Sequence, residues 1–124
     1  MRLEIKGNTP ALKNAKQIFV NKRTGKPFIT SSNLSKEWQA SAKAQLREQF
    51  EGYKVTGYPI SIAMEFFFKT KRAKDLDNAA TSVLDALVHA GVIEDDNINY
   101  VDTLSISFGG YDKENPRVNI YIDE

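Results

Sequence analysis

The apolar residues of this chain change period once, and that change limits the folds open to it. Ile60, Ile62, Met64, Phe66 and Phe68 alternate with Ser61, Ala63, Glu65 and Phe67, the two-residue period of a strand with one buried face. From Leu76 onward the apolar positions are Leu76, Ala80, Val83, Leu84, Leu87 and Ala90, the spacing of an amphipathic helix. Gly91 follows where a C′ residue belongs. Between strand and helix runs a basic stretch, Lys69, Lys71, Arg72 and Lys74, which ends in Asp75-Leu76-Asp77-Asn78. A strand thus delivers cations, then carboxylates, to the start of a helix.

The remaining elements fit around this unit. Leu3 and Ile5 alternate with Arg2, Glu4 and Lys6, as in a half-buried strand. Asn8 to Lys16 reads as a loop, with Pro10 against helix. Gln17 to Asn21 and Pro27 to Thr30 are β-rich runs around Lys22-Arg23-Thr24-Gly25-Lys26, which predicts a hairpin with a basic tip. That tip serves as a soluble turn or as a phosphate contact. Ser31 to Ser35 supplies N-caps, and Trp38, Ala42, Leu46 and Phe50 then recur every fourth residue on one helix face. Trp38 suits a core anchor, though a lone Trp also suits stacking on a base. Gly52 and Gly57-Tyr58-Pro59 mark a break. Leu104, Ile106 and Phe108 predict another strand, Gly109-Gly110 and Asn115-Pro116 a turn region, and Val118, Ile120 and Ile122 a last strand.

With 124 residues, one domain over 1–124 is expected, large enough to bury one core. The absence of cysteine excludes a disulfide framework and a thiolate zinc site, and fits a reducing cytoplasm. Met1-Arg2-Leu3-Glu4 does not open a signal peptide, and no apolar run approaches the roughly 20 residues of a membrane span. A cytoplasmic protein without a membrane partner is therefore expected. The net charge of +1 conceals a division. Residues 1–74 hold 15 Lys and Arg against 5 Asp and Glu; residues 75–124 hold 2 against 11. The sign reverses at Asp75. Solvated surfaces account for such a pattern, and so does a polyanion-binding surface beside an acidic metal site.

Asp75 and Asp77 stand where helix capping and the macrodipole favour aspartate. Capping explains one of them readily. Two Asp, an Asn, four preceding cations and the later pair Asp95-Asp96 also suit Mg²⁺, a hard ion that takes carboxylate oxygens and keeps several waters. Such an ion stabilises charge on a phosphate and activates water. Asp85 lies two turns after Asp77 and His89 one turn further, both at positions suited to a solvated helix face; no second His exists to make a zinc pair. Reach constrains the set. A helix from Asp77 to Ala90 spans about 20 Å at ~1.5 Å per residue, and the chain from Gly91 to Asp96 barely recovers that distance at ~3.3 Å per residue. A shortened or bent helix would bring Asp96 back. So would a twofold dimer interface at which Asp96 comes from the other subunit.

Lys74-Asp75-Leu76-Asp77-Asn78, then Asp85-Ala86-Leu87, Ala90-Gly91 and Asp95-Asp96 together resemble the RusA family of Holliday junction resolvases. The close match covers roughly residues 70–100, and the order of flanking elements is compatible with the whole domain. The resemblance implies a small dimeric endonuclease, in many cases phage or prophage encoded, that cuts four-way DNA junctions symmetrically with Mg²⁺ or Mn²⁺. It implies an α/β (α+β) two-layer sandwich, with a mixed sheet of about five to six strands and two main helices, as an intertwined homodimer. Carried over by position, Asp75, Asp77 and Asp96 are the catalytic metal-binding carboxylates, with Asp95 and Asp85 at further acidic positions and Lys74 suited to a phosphate contact. One departure stands out. The family commonly has an important Lys four residues after the second Asp, and here that residue is Thr81. Lys69, Lys71, Arg72, Lys13 and Lys16 are the candidate cations to replace it and to bind DNA.

The expected function is therefore a structure-selective, Mg²⁺-dependent DNA endonuclease that resolves Holliday junctions in recombination and repair. The alternative is a branched-nucleic-acid-binding protein on the same fold with weakened catalysis, a reading that rests on Thr81. A third reading, with the carboxylates as caps and surface charge, predicts neither divalent-ion binding nor salt-sensitive DNA binding.

Overall fold

The computed structural model of the protein describes residues 1–11, 16–20, 27–31, 33–53 and 55–124, with backbone alone for 16–20, 27–31 and 33. The elements run β1 (Arg2–Lys6), β2 (Lys16–Val20), β3 (Pro27–Ser31), α1 (Asn33–Phe50), β4 (Ile60–Phe68), α2 (Leu76–His89), β5 (Val101–Tyr111) and β6 (Arg117–Asp123). Four strands form a mixed sheet in the order β1-β6-β4-β5, and β2 pairs with β3 as a separate antiparallel ribbon. Where one mixed sheet of about five to six strands is expected, the described strands divide into a sheet of four and a ribbon of two. β4 and β5 are parallel neighbours, so their connection must cross the sheet, and α2 is that crossover. β6 runs antiparallel to both β4 and β1.

The alternation in β4 predicts its burial. Ile60, Ile62, Met64, Phe66 and Phe68 are buried, while the residues between them are half-buried. That face packs against Ala79, Ala80, Val83, Ala86 and Leu87 of α2 and Trp38, Ala42 and Leu46 of α1 in one core. Trp38 is thus a core anchor. No helix among the described residues is long and apolar enough to cross a membrane.

The two sheet edges are treated differently. At β1, Gln49 of α1 accepts from Glu4 N at 2.9 Å and donates to Glu4 O at 2.6 Å. Gln45 does the same for Lys6, at 2.7 and 3.0 Å. The two side-chain amides occupy the backbone groups that another strand would use. β5, at the other edge, pairs only with β4 among the described residues.

The structure revises the reading of β5. Gly109-Gly110 is not a turn; the strand continues to Tyr111. Phe66 pairs with Phe108 but Phe67 with Gly110, leaving Gly109 as the extra residue of a β-bulge. A Cβ at Gly109 would lie 2.6 Å from Cζ of Phe67, so glycine permits the close approach and a turn is not required. The reversal follows instead at 112–116, where Asp112 accepts from Asn115 N at 3.1 Å and pairs with Arg117 at 2.8 Å. Leu104 and Phe108 lie in the strand that their alternation predicts, and they are 41% and 47% exposed on the outermost strand of the sheet.

Candidate functional site

β4 ends at Phe68, and the basic stretch begins as the chain leaves the sheet. Lys69 N donates to Oδ1 of Asn8 at 3.0 Å, tying the stretch to the N-terminal loop. Lys69, Lys71 and Arg72 are exposed. Lys74 is half-buried, with Nζ 5.0 Å from the centre of the Phe68 ring. Burial lowers its pKa from the usual lysine value, and the nearby Arg72 lowers it further. None of these four cations lies within ion-pair distance of a carboxylate among the described residues. Lys13 lies outside the described residues, and Lys16 begins β2 with its side chain outside them.

Asp75 occupies the N-cap of α2 with extended backbone (φ −89°, ψ 119°), yet its carboxylate makes no capping hydrogen bond. Its backbone carbonyl accepts from Ala79 N at 3.2 Å, while Oδ2 accepts from Nδ2 of Asn78 at 3.3 Å. The cap position is filled and the side chain is directed elsewhere, so capping leaves the Asp75 carboxylate unexplained. Asp77, exposed in the first turn, adds a second carboxylate where the helix dipole favours negative charge. Thr81, one turn further, donates its hydroxyl to the main-chain carbonyl of Asp77 at 3.0 Å.

The other acidic residues gather toward the far end of the helix. Gly91 adopts φ +80°, and the backbone N–H groups of Val92 and Ile93 both reach back to the carbonyl of Leu87, at 3.0 and 3.4 Å. Val92 and Ile93 are buried and anchor this return. Asp95 then organises its own loop, accepting from Asp96 N at 2.8 Å and Asn97 Nδ2 at 3.2 Å. Burial raises the Asp85 carboxyl above the usual aspartate value; His89 opposes the shift and Asp96 reinforces it. Asp85 and Asp96 are therefore electrostatic neighbours. His89 is exposed, as expected for a helix residue facing solvent.

Asp96 thus acts on the Asp85 carboxyl, and it forms no metal-holding group with Asp75 and Asp77 among the described residues. Asp77 and Asp85 are two turns apart, about 12 Å along the axis at ~1.5 Å per residue. Among the described residues, no group of three or more His, Cys, Asp or Glu side chains is placed to hold a metal ion. One chain offers the pair Asp75 and Asp77. Their oxygens suit Mg²⁺, which is commonly held by one or two carboxylates with waters and substrate phosphates completing its shell.

Sequence reasoning did not find the aromatic group beside this pair. Phe68, Phe108 and Tyr111 line a concavity of about 250 Å³ together with Arg72, Lys74 and Leu76. Tyr111 reaches that face because of the bulge, and bulges leave only a weak glycine signal in a single sequence.

Comparison with known proteins identifies the family. A family model described as Endodeoxyribonuclease RusA matches residues 9–123. A crossover junction endodeoxyribonuclease RusA from Aquifex aeolicus (strain VF5) is 39% identical over 61 residues, 49% of this chain and 48% of that protein. The chain thus matches about half the length of this curated relative. A family match that runs from the N-terminal loop to β6 takes in the cationic stretch, the carboxylates of α2 and the loop of Asp95 and Asp96, and this chain belongs to the RusA endodeoxyribonuclease family.

Proposed function

We propose that this protein is a metal-dependent, structure-selective DNA endonuclease that resolves four-way junctions by paired phosphodiester hydrolysis, in recombination and repair. The observation that carries this reading is local. Cations without carboxylate partners among the described residues run directly into the Asp75–Asp77 pair, whose first member is released from capping. The family match and the name of the Aquifex relative support the same substrate class.

Lys69, Lys71, Arg72 and Lys74 would hold backbone phosphates, which gives affinity without reading sequence. Asp75 and Asp77 would hold Mg²⁺, or Mn²⁺ in its place, and Asn78 would orient the Asp75 carboxylate. When bound, the ion supplies Lewis-acid stabilisation of charge on the phosphate and makes water a better nucleophile. The chain would thereby bring the scissile phosphate and the carboxylates to one place.

Asp96, with Asp95 beside it, would complete the site from a second copy in a homodimer. Closing the β1 edge with Gln45 and Gln49 leaves β5, among the described residues, as the edge available for pairing. Because β4 and β5 are parallel, one end of β5 lies by the loop of Asp96 and the other by the stretch from Lys69 to Asp77. A second copy running antiparallel along β5 would carry its Asp96 toward the first copy's Asp75 and Asp77. Twofold symmetry would then give two sites and two cuts.

A second reading is favoured by Thr81. Its hydroxyl is engaged by the Asp77 carbonyl, and it carries no charge, so the chain could bind branched DNA with weakened catalysis. Incubation of a synthetic four-way junction with Mg²⁺ at two salt concentrations, beside an Asp75→Asn control, separates the two. Metal-dependent paired cleavage that the control lacks is expected. Salt-sensitive binding without cleavage would sink the enzyme reading and leave the binding one.

A further inference from the structure

The concavity beside Asp75 has an unusual lining for a phosphate surface. Phe68 is buried as its floor, while Phe108 and Tyr111 are 47% and 48% exposed. Phe68 and Phe108 are stacked, with centres 6.2 Å apart and planes 17° from parallel, and Tyr111 meets Phe108 edge-on at 5.0 Å. In a regular strand Phe108 and Tyr111, three residues apart, would point to opposite faces. The extra residue Gly109 corrects this, so that Phe108 pairs with Phe66 and Tyr111 with Phe68, on one face. Arg72 and Lys74 form the cationic rim, and neither meets a carboxylate among the described residues. The volume of about 250 Å³ is below the roughly 300–1,000 Å³ of sites for drug-sized ligands. It suits one planar ring system.

We propose that this aromatic pocket takes a single unstacked nucleobase of the DNA, stacked on Phe108 and Tyr111, while Arg72 and Lys74 hold the phosphates on either side of it. The proposal rests on the DNA reading above and deepens it. Stacking on exposed aromatic rings is how proteins hold single-stranded bases with little regard to sequence, and cations beside the rings track the backbone. Bases at a branch point lose a stacking neighbour when the arms separate, so one is extruded there at lower cost than within a continuous duplex. A pocket for one such base next to the carboxylate pair would place the branch at the cutting site, and selectivity for structure would follow from it. Exposed aromatic rings beside cations that meet no carboxylate among the described residues match the two parts of a nucleotide, its base and its phosphates.

The test measures binding of the full chain, in EDTA to prevent cleavage, to a short single-stranded oligonucleotide and to the same backbone with abasic sites. A further oligonucleotide carries 2-aminopurine, whose fluorescence falls on stacking. Wild type should bind the base-containing strand about tenfold more tightly than the abasic one, in line with the usual value of stacking per base, and should quench 2-aminopurine. Phe108→Leu with Tyr111→Leu should lower the affinity to the abasic level and abolish quenching, with the sedimentation behaviour of the protein unchanged. Equal wild-type affinity for both strands would overturn the base pocket while leaving DNA binding intact. Binding to neither strand nor to junctions would overturn the DNA reading and the pocket with it. A loss of self-association in the double variant, in parallel with the loss of binding, would assign the surface to contact between copies instead.

Discussion

Thr81 Oγ1 donates to the main-chain carbonyl of Asp77 at 3.0 Å, one turn back along α2. The hydroxyl that stands where the family commonly has lysine is therefore engaged by the helix backbone and carries no charge toward the carboxylates. Thr81→Lys should add a cation on the exposed face shared with Asp77. Because the position is exposed, the change in stability should stay within roughly 0.5 kcal/mol. Junction cleavage should rise on the order of tenfold or more if a positive charge at the developing anion is what is missing. Single-turnover cleavage with Mg²⁺ measures it; an unchanged rate would mean that Lys69, Lys71, Arg72 or another cation already supplies the charge.

A second prediction concerns which copy provides Asp96. Asp75→Asn and Asp96→Asn should each be inactive alone. In a mixed dimer with sites completed across the interface, one site loses both residues and the other regains both. Such heterodimers should nick one strand of the junction, whereas sites built within one chain would leave every species inactive. A nicking assay after verified subunit exchange decides between them.

The Asp85 carboxyl has a raised pKa, chiefly from burial, with Asp96 adding to the shift and His89 opposing it. A carboxyl raised in the folded state contributes stability that is fully present below its unfolded pKa and is lost as pH rises through the folded value. Asp85→Asn should therefore stabilise the protein at neutral pH. The gain should be about 0.5 kcal/mol or less because the group is largely exposed, and it should vanish in acid. Thermal unfolding at pH 7 and pH 3.5 tests the sign; a larger gain at the acid end would contradict the burial account.

Gly109→Ala should be costly. Its Cβ would fall 2.6 Å from the Phe67 ring, and that ring also carries the Arg117 guanidinium, 4.0 Å from its centre. Overpacking of this kind costs about 1–3 kcal/mol. Chemical denaturation should show the loss, and Phe67→Leu in the Gly109→Ala background should recover part of it. Recovery absent in the double variant would place the strain elsewhere.

Gln45→Ala with Gln49→Ala should unmask the β1 edge. Each amide serves both backbone groups of one strand residue, and each hydrogen bond contributes about 1 kcal/mol or less at an exposed site. A modest loss of stability is expected, together with concentration-dependent association visible by light scattering.

Much of this protein is legible in its residues taken in order. The alternation of Ile60 to Phe68 and the helical spacing from Leu76 to Ala90 dictate β4 and α2, since burying an apolar face fixes the period whatever the neighbours are. Trp38, Ala42 and Leu46 mark the core face of α1 for the same reason. The motif from Lys74 to Asn78 and the Asp95-Asp96 pair point to the family and to the chemistry. The tertiary structure decided what depends on pairing between distant segments. It made Gly109 a bulge inside β5, because register is set by the partner strand; that bulge turned Tyr111 onto the face of Phe68. It placed β5 at an open edge and closed β1 with two glutamines, and it left Asp75 as a cap in backbone only. It also left Asp75, Asp77 and Asp96 without a shared metal-holding group in one chain among the described residues, because the path after a helix is set by the burial of Val92 and Ile93 against the core, a contact that local spacing does not encode.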